Sequence, residues 1–495
     1  MFHSFLEGFG LFFAPMSIIL TFLGTVLGLI LGALPGLGPL MGIILMLPIA
    51  VTQPPVAAMG FLIAIFVAGS CGGSISAILL RVPGTPLAAA TLFDGYPMAQ
   101  KGRASDAVGI AISSSSLGGL IGGMILIFFS PMLAKVAMKF APPEYTALAV
   151  MGLIAIAVLS DKRFLDGLIA GCFGLLIATV GTDAFTTGYR FTFDNFNLLN
   201  GFHIVPVVVG LFAVSEMAFL GAKPGLTDKL DIKVFRASFR SIILTLKHYG
   251  NLIRSSVIGA LFGAIPGAGG VTSSFTSYAI AKAMAKPHER YGEGEEGGIV
   301  ATEAANNATC GGALVPTLAL GIPGDAATAV LLGALIIMGL FPGPALFEQH
   351  PEVVGGIFVS YIFANIFLLF LGILATPLFV YVLKVKRSYL IPIVLLLCAV
   401  GTFALQSSVF DLLAMLGFGL VGILFRLAKY PLAPIVIGTV LGPILEKNFR
   451  RAMLLSDDGL LIFIKRPVSS ILVIINVILI VGVLIYNRRK RVKNS

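Results

Sequence analysis

Charge is scarce in this chain. Asp, Glu, Lys and Arg make up 11% of its 495 residues, against about a quarter in a soluble globular protein. With 57% of residues hydrophobic, no soluble fold of this size has enough polar surface to cover them. That excludes a soluble enzyme, a nucleic-acid binder and a secreted module. Enzyme signatures are missing as well: there is no HExxH, no G-x-S-x-G and no phosphate-binding Walker loop. Without such a loop the chain is not expected to hydrolyse ATP. His3, His203, His248, His288 and His350 are scattered without ligand spacing. Cys71, Cys172, Cys310 and Cys398 lack zinc or redox spacing and read as small buried residues. Met1–Gly10 has no basic stretch, so a cleaved signal peptide is not expected.

What is present is apolar sequence in long runs. Gly8–Leu80 holds 73 residues without Asp, Glu, Lys, Arg or His. As one helix it would reach about 110 Å, yet a hydrocarbon core is about 30 Å thick. The run therefore folds back at least twice. Ala107–Ala134, Val353–Leu383 and Leu390–Phe410 are further uncharged stretches. The runs are continuous rather than alternating, which favours helices over a barrel. The expectation is an all-α polytopic membrane protein with roughly 12–14 transmembrane or half-membrane helices. The net charge of +10 then marks cytoplasmic loops rather than nucleic-acid binding.

The chain repeats itself. Val26–Gly38 reads VLGLILGALPGLG and Val257–Gly269 reads VIGALFGAIPGAG, with 7 of 13 positions identical at an offset of 231. Each copy is followed by a Cys-Gly-Gly, Ser70–Ser74 (SCGGS) and Thr309–Ala313 (TCGGA), and about ten residues later by Val82-Pro83-Gly84-Thr85 and Ile322-Pro323-Gly324-Asp325. An ordered set of this kind indicates an internal duplication. Nothing basic precedes the first copy, and Lys101 and Arg103 follow it. The second copy follows Lys223, Lys229, Lys233, Arg236, Arg240, Lys247 and Arg254 and precedes Phe347–Glu352, which has no Lys or Arg. By the positive-inside rule the copies face opposite ways, a pattern of secondary transporters with broken helices. The expected organisation is a first repeat at 15–103, intervening helices at 104–222 and a basic cytoplasmic link at 223–250. An inverted second repeat follows at 251–347, then C-terminal helices at 353–487 and a basic tail at 488–495, also cytoplasmic.

Pro35-Gly36-Leu37-Gly38 and Pro266-Gly267-Ala268-Gly269 are expected to break a helix inside the membrane. Lipid cannot satisfy the freed amides and carbonyls, so these face protein or a watery cavity. Free helix N-termini there suit an anionic ligand; the alternative is a simple proline kink or close packing of small residues. Candidate substrate contacts are Pro35, Gly36, Gly38, Gly72, Gly73, Ser74, Thr85, Pro266, Gly267, Gly269, Thr272, Ser273, Gly311 and Gly312. Glu303, Asn306, Asn307 and Asp325 are candidates for ion coupling, because an ionisable group in an apolar span is a functional candidate. Na⁺ at Asn306, Asn307 and Asp325, or a proton on a carboxylate, would serve; Glu303 alternatively sits in a wet loop after the Gly-rich run Tyr291–Gly298, which itself reads as flexible and solvated. Ser70, Ser76 and Thr91 add hydroxyls in the first copy. Arg81 either pairs with a substrate carboxylate or snorkels to the cytoplasmic face.

The motifs GALPGLGPLMG, CGGS…VPGTP…FDGYP, GAIPGAGG and NNATCGGALVPTLALGIPGDAATA resemble the large membrane subunit of the tripartite tricarboxylate transporters (TctA type), over most of residues 15–450. The resemblance implies a multi-pass carrier of the bacterial inner membrane that takes up small organic acids such as citrate. It implies a small membrane subunit and a periplasmic solute-binding protein as partners. It also implies symport with Na⁺ or H⁺, and no other cofactor. The alternative is a passive channel for organic anions.

Overall fold

Backbone amides and carbonyls have no partner in lipid, so apolar runs close their hydrogen bonds within themselves as helices. A computed structural model describes residues 2–34, 36–159, 164–222, 235–266, 269–383, 387–456 and 459–494. Pro35 and Gly267 lie outside the described residues, as do Lys223, Lys229 and Lys233 of the basic link. Nearly everything described is helical; a two-stranded antiparallel ladder pairs Gly181 with Arg190 and Thr182 with Tyr189. Among the described residues seven helices are long and apolar enough to cross a membrane, and Gly38–Ala50, Phe164–Ala178 and Ala326–Ile337 are shorter apolar helices. The protein is a multi-pass, all-α membrane protein.

The two copies of the repeat have the same order of elements. In the first, Pro15–Ala33 and Gly38–Ala50 form a hairpin, followed by the long helix Pro55–Leu80. Proline opens Pro15–Ala33 and Pro55–Leu80, where its missing amide costs nothing. The long helix ends at Arg81 in the left-handed region. A break leads to the short turn Pro86–Ala89, the helix Leu92–Met98, and then Ala104–Ala137. In the second copy the hairpin is Tyr249–Ala264 with Gly269–Ala283, and the long helix is Glu296–Leu320, ended by Gly321 at φ 70°. A break, the helix Ala326–Ile337, and Pro351–Leu374 follow.

Glycine brings these helices together. A Cβ on Gly28 would sit 2.8 Å from the Ile65 carbonyl oxygen, and one on Gly259 would strike the Ala305 carbonyl. A Cβ on Gly72 would lie 2.7 Å from the Leu29 oxygen, and one on Gly312 would lie 2.7 Å from Ala260 Cα. Each hairpin thus presses its first arm, backbone to backbone, on its own long helix, as small residues permit in membranes. After each break the chain turns back beside the long helix. Gly84 lies against Gly73 and the Gly32 carbonyl, with Gly84 N–H donating to the Gly73 oxygen at 3.1 Å. Gly324 lies against Ala313 and the Gly263 carbonyl.

The copies also interlock. Glu296–Leu320 packs on Ala104–Ala137, and Pro55–Leu80 packs on Pro351–Leu374. The turn Pro86–Ala89 touches the second hairpin arm Gly269–Ala283, while Ala326–Ile337 touches the first copy's Gly38–Ala50. Pro55–Leu80 is consequently buried almost throughout. Ser388–Leu405 and Val409–Leu427 instead leave most of their surface uncovered, with Leu396, Leu413 and Leu420 exposed, as suits a lipid-facing rim. Cys71, Cys310 and Cys398 are buried as expected, but Cys172 is exposed: it falls on the uncovered side of Phe164–Ala178, whose Gly167, Gly171 and Gly174 face inward.

Gly28→Ala should destabilise the protein by about 1–3 kcal/mol, the usual cost of overpacking, because backbone rather than a movable side chain is in the way. Gly10→Ala, where nothing lies within 4 Å, should be neutral. Thermal unfolding of the two variants in detergent checks both.

Candidate functional site

The buried polar residues of the two copies converge on Glu303. It sits two turns into Glu296–Leu320 and is fully buried in a helix, not in a wet loop. Thr91, on the segment after the first break, hydrogen-bonds Oε1, and Ser115 of Ala104–Ala137 donates to Oε2 at 2.8 Å. Asn306 Nδ2, one turn on, lies 3.5 Å from Oε2 and donates to the Ser70 carbonyl at 3.1 Å. Asn306 Oδ1 is buried and has no hydrogen-bond partner among the described residues. Among the described residues no Lys, Arg or His is hydrogen-bonded to or ion-paired with Glu303. A carboxylate kept from water without a countercharge is costly unless it is neutralised or takes a cation.

The network continues along the same helix. Asn307 Nδ2 donates to the Ser115 carbonyl at 3.1 Å and lies 3.4 Å from Asn365 Oδ1. Tyr361 donates to the Asn307 carbonyl at 3.3 Å, and Ser116 to the Asn365 carbonyl at 2.8 Å. Cys310 Sγ contacts Ser70 Oγ at 3.4 Å. Ser115 and Asn365 were missed in the sequence reading. Their signals are legible in retrospect: four consecutive serines, Ser113–Ser116, interrupt the uncharged stretch Ala107–Ala134, and Asn365 is the one amide side chain within Val353–Leu383.

Asp325 stands apart from this network. It caps the helix Ala326–Ile337, with Oδ1 accepting from Thr328 N–H at 2.8 Å and Thr328 Oγ1 accepting from the Asp325 N–H at 2.9 Å. No hydrogen bond joins it to Asn306 or Asn307 among the described residues. Thr85 occupies the matching place in the first copy, capping Pro86–Ala89.

The candidate substrate residues divide into two groups. Gly72, Gly73, Gly311 and Gly312 are closed by neighbouring atoms: Gly72 by Leu29 and Ala33, Gly73 by Thr85, Gly311 by Gly122, Gly312 by Ala260. Ser74 is buried and donates to its own helix at Cys71 O. Ser273 is buried and shares a hydrogen bond with Thr309 at 2.8 Å. Gly38 is buried with Thr85 Cγ2 beside it, which joins the first PGxG tip to the first break. The more open group is Gly36 and Thr272, both exposed, with Pro266 and Gly269 half-buried; a Cβ on Gly269 would meet nothing within 4 Å. Gly36, Gly38 and Gly269 all have positive φ, as their places at the helix breaks require. Arg81 is exposed, with its guanidinium over the Tyr96 ring at 5.5 Å.

The Gly-rich run is not free. Asp94, buried on the first copy, accepts at Oδ1 from the backbone N–H groups of Gly292, Gly294 and Glu295 at 2.8–2.9 Å. Lys101 donates to the Glu293 carbonyl, and Arg103 pairs with Glu296 at 2.6 Å. A loop that reads as solvated from its glycines is therefore cradled around one carboxylate.

The Tripartite tricarboxylate transporter TctA family model matches residues 18–437. An uncharacterized 52.8 kDa protein in the TAR-I ttuC' 3'region of Agrobacterium vitis is 35% identical over 489 residues, covering 98% of this chain and 96% of that one. An uncharacterized protein in the TAR-II ttuC' 3'region of the same organism is 32% identical over 234 residues, 47% of this chain and 96% of its own length. No solved structure matches the chain.

Asp94→Ala should free the 291–295 loop while leaving the buried helices intact. Limited trypsin digestion at Arg290 should speed up about tenfold, given a loss of about 1–3 kcal/mol from three orphaned N–H groups.

Proposed function

The chain belongs to the tripartite tricarboxylate transporter TctA family, a transporter family rather than an enzyme family, and we propose that it imports a small di- or tricarboxylate by ion-coupled secondary transport. In this reading it is the large permease subunit in a bacterial inner membrane, with its C-terminus in the cytoplasm. A small membrane subunit completes it, and a periplasmic binding protein delivers the substrate. The two copies of the repeat face opposite ways, and alternating access arises as one bundle moves against the other.

The observation that carries the reading is the junction at Glu303. A single buried carboxylate of the second copy is held by Thr91 of the first copy, Ser115 of the helix that follows the first copy and Asn306 of its own helix. Movement of one copy against the other changes this shell, so occupancy of Glu303 and conformation are linked. We assign the coupling ion as a proton on Glu303. Glu303 is fully buried, and among the described residues no cationic side chain is bonded to it, so a proton is the least costly way to neutralise it. Thr91, within hydrogen-bond reach of both Thr302 and Glu303, serves the carboxyl group in either protonation state. Sodium at Asn306, Asn307 and Asp325 is the competing assignment, favoured by Asn306 Oδ1, which has no hydrogen-bond partner among the described residues. The anion is held by backbone amides at the more open breaks, near Gly36 and Gly269, with Thr272 on the same helix as Gly269.

The test is uptake of radiolabelled citrate and other organic acids into proteoliposomes holding this chain and its small partner, with binding protein outside and no ATP. A pH gradient without Na⁺ should drive accumulation, and Glu303→Gln should abolish accumulation by at least a hundredfold while still inserting and binding. Accumulation driven only by Na⁺ removes the proton assignment. Uptake that merely equilibrates under either gradient makes the protein a channel.

A further inference from the structure

We infer that the chain carries a second anion site, a basic vestibule at the end of the long helix Glu296–Leu320, distinct from the helix breaks that hold the transported anion. The inference rests on the carboxylate-import reading for the identity of its ligand. The vestibule is a cavity of about 580 Å³ lined by Phe202, Gly321, Pro342, Lys447, Asn448 and Arg451 among others. That volume falls in the range of small-molecule sites, about 300–1,000 Å³. Among the described residues its lining includes two basic side chains and no Asp or Glu.

Charge bookkeeping on the helix Ala433–Leu454 separates these two residues from their neighbours. Arg450 is neutralised by Asp183 at 2.5 Å and Glu446 at 3.1 Å, and Arg190 by Glu446 at 2.7 Å. The Arg450 hydrogen bond holds the Asp183 carboxyl well below the usual carboxylate range. Lys447 and Arg451 sit one turn apart, exposed, with no carboxylate partner among the described residues. Interaction with the C-terminal dipole of their helix reaches Arg451 in the last turn but not Lys447, and it does not account for their sharing one concave wall.

Position adds the second argument. Lys282, Lys286 and Arg290 precede the long helix, which puts its start in the cytoplasm. Its end at Gly321, and the vestibule with it, then faces outside. Unpaired positive charge on that side runs against the positive-inside trend, and the cavity abuts the break Gly321–Asp325 through Gly321 itself. A small polycarboxylate released outside would be drawn into such a wall and concentrated next to the break. Clefts lined by one sign of charge raise association rates by about 10- to 1,000-fold, an effect that salt screens.

The test uses the reconstituted full transporter with citrate as probe. Lys447→Gln/Arg451→Gln should raise KM about tenfold with kcat within twofold, and should flatten the dependence of KM on ionic strength. Lys282→Gln should change neither. Should the double variant insert poorly, each single substitution reads the same parameters, and Lys447→Arg should restore the wild-type values. Equilibrium citrate binding to the purified chain, measured alongside, separates this proposal from the import reading. If wild type accumulates nothing but binds citrate at least tenfold more tightly than the double variant, import falls and the vestibule stands. Unchanged KM, salt dependence and binding in the double variant overturn the vestibule. So does loss of co-purifying anionic phospholipid with citrate affinity intact, which would make the cavity a headgroup site.

Discussion

Three backbones can meet at one point only where none of them carries a bulky side chain. This constraint governs the centre of the molecule, and it is met twice. Gly32, Gly73 and Gly84 come together in the first copy, and Gly263, Ala313 and Gly324 in the second. In each case the first arm of a hairpin, a long helix and the chain returning from a Pro-Gly break share a contact. Breaking a helix inside the membrane exposes polar backbone, and lipid offers it nothing. Bringing the broken segment back against two other backbones removes it from lipid and supplies partners, such as the Gly73 carbonyl for the Gly84 amide. The glycines follow from the breaks, because only small residues let the returning backbone lie against two others.

The same packing explains why the polar network is buried. Gly118 and Gly122 let Ala104–Ala137 lie directly on Ala304 and Ala308 of the second long helix. Ser115 and Ser116 are thereby carried to Glu303 and Asn365. A serine run on a loosely packed helix would satisfy its own carbonyls instead. Here close approach converts those hydroxyls into bonds between helices. Asp94 and its cradle of amides perform a related task on the side of Lys101 and Arg103, tying the segment after the first break to the loop before the second long helix. Thr91 and Asp94, three residues apart, therefore join the first copy to the second at two depths. A displacement of either copy disturbs both.

Much of this was legible in the residues. The apolar runs, the duplication at an offset of 231 and the placing of breaks at Pro-Gly all follow from local rules: hydropathy, backbone freedom and the missing proline donor. Glu303, Asn306 and Asn307 stood out because a polar side chain in an apolar span is expensive. Asp325 stood out for the same reason, yet it serves as a helix cap, which local sequence also permits since Thr328 follows at the capping-box spacing. The glycines of Cys-Gly-Gly illustrate the limit. Their pattern says that something approaches closely, and it does not say whether that something is an anion or another helix. For Gly72, Gly311 and Gly312 it is a helix.

By itself, then, the sequence determined the class of the protein, its helices, its internal duplication and the family to which it belongs, because each is written in composition or in short-range order. Only the tertiary structure decided which polar residues meet. Thr91 and Glu303 are 212 positions apart, and Asp94 lies about 200 from the amides it holds. Contacts at such separations depend on how helices stack, and stacking is set by the combined shapes of many small residues. No periodicity along the chain encodes that pairing.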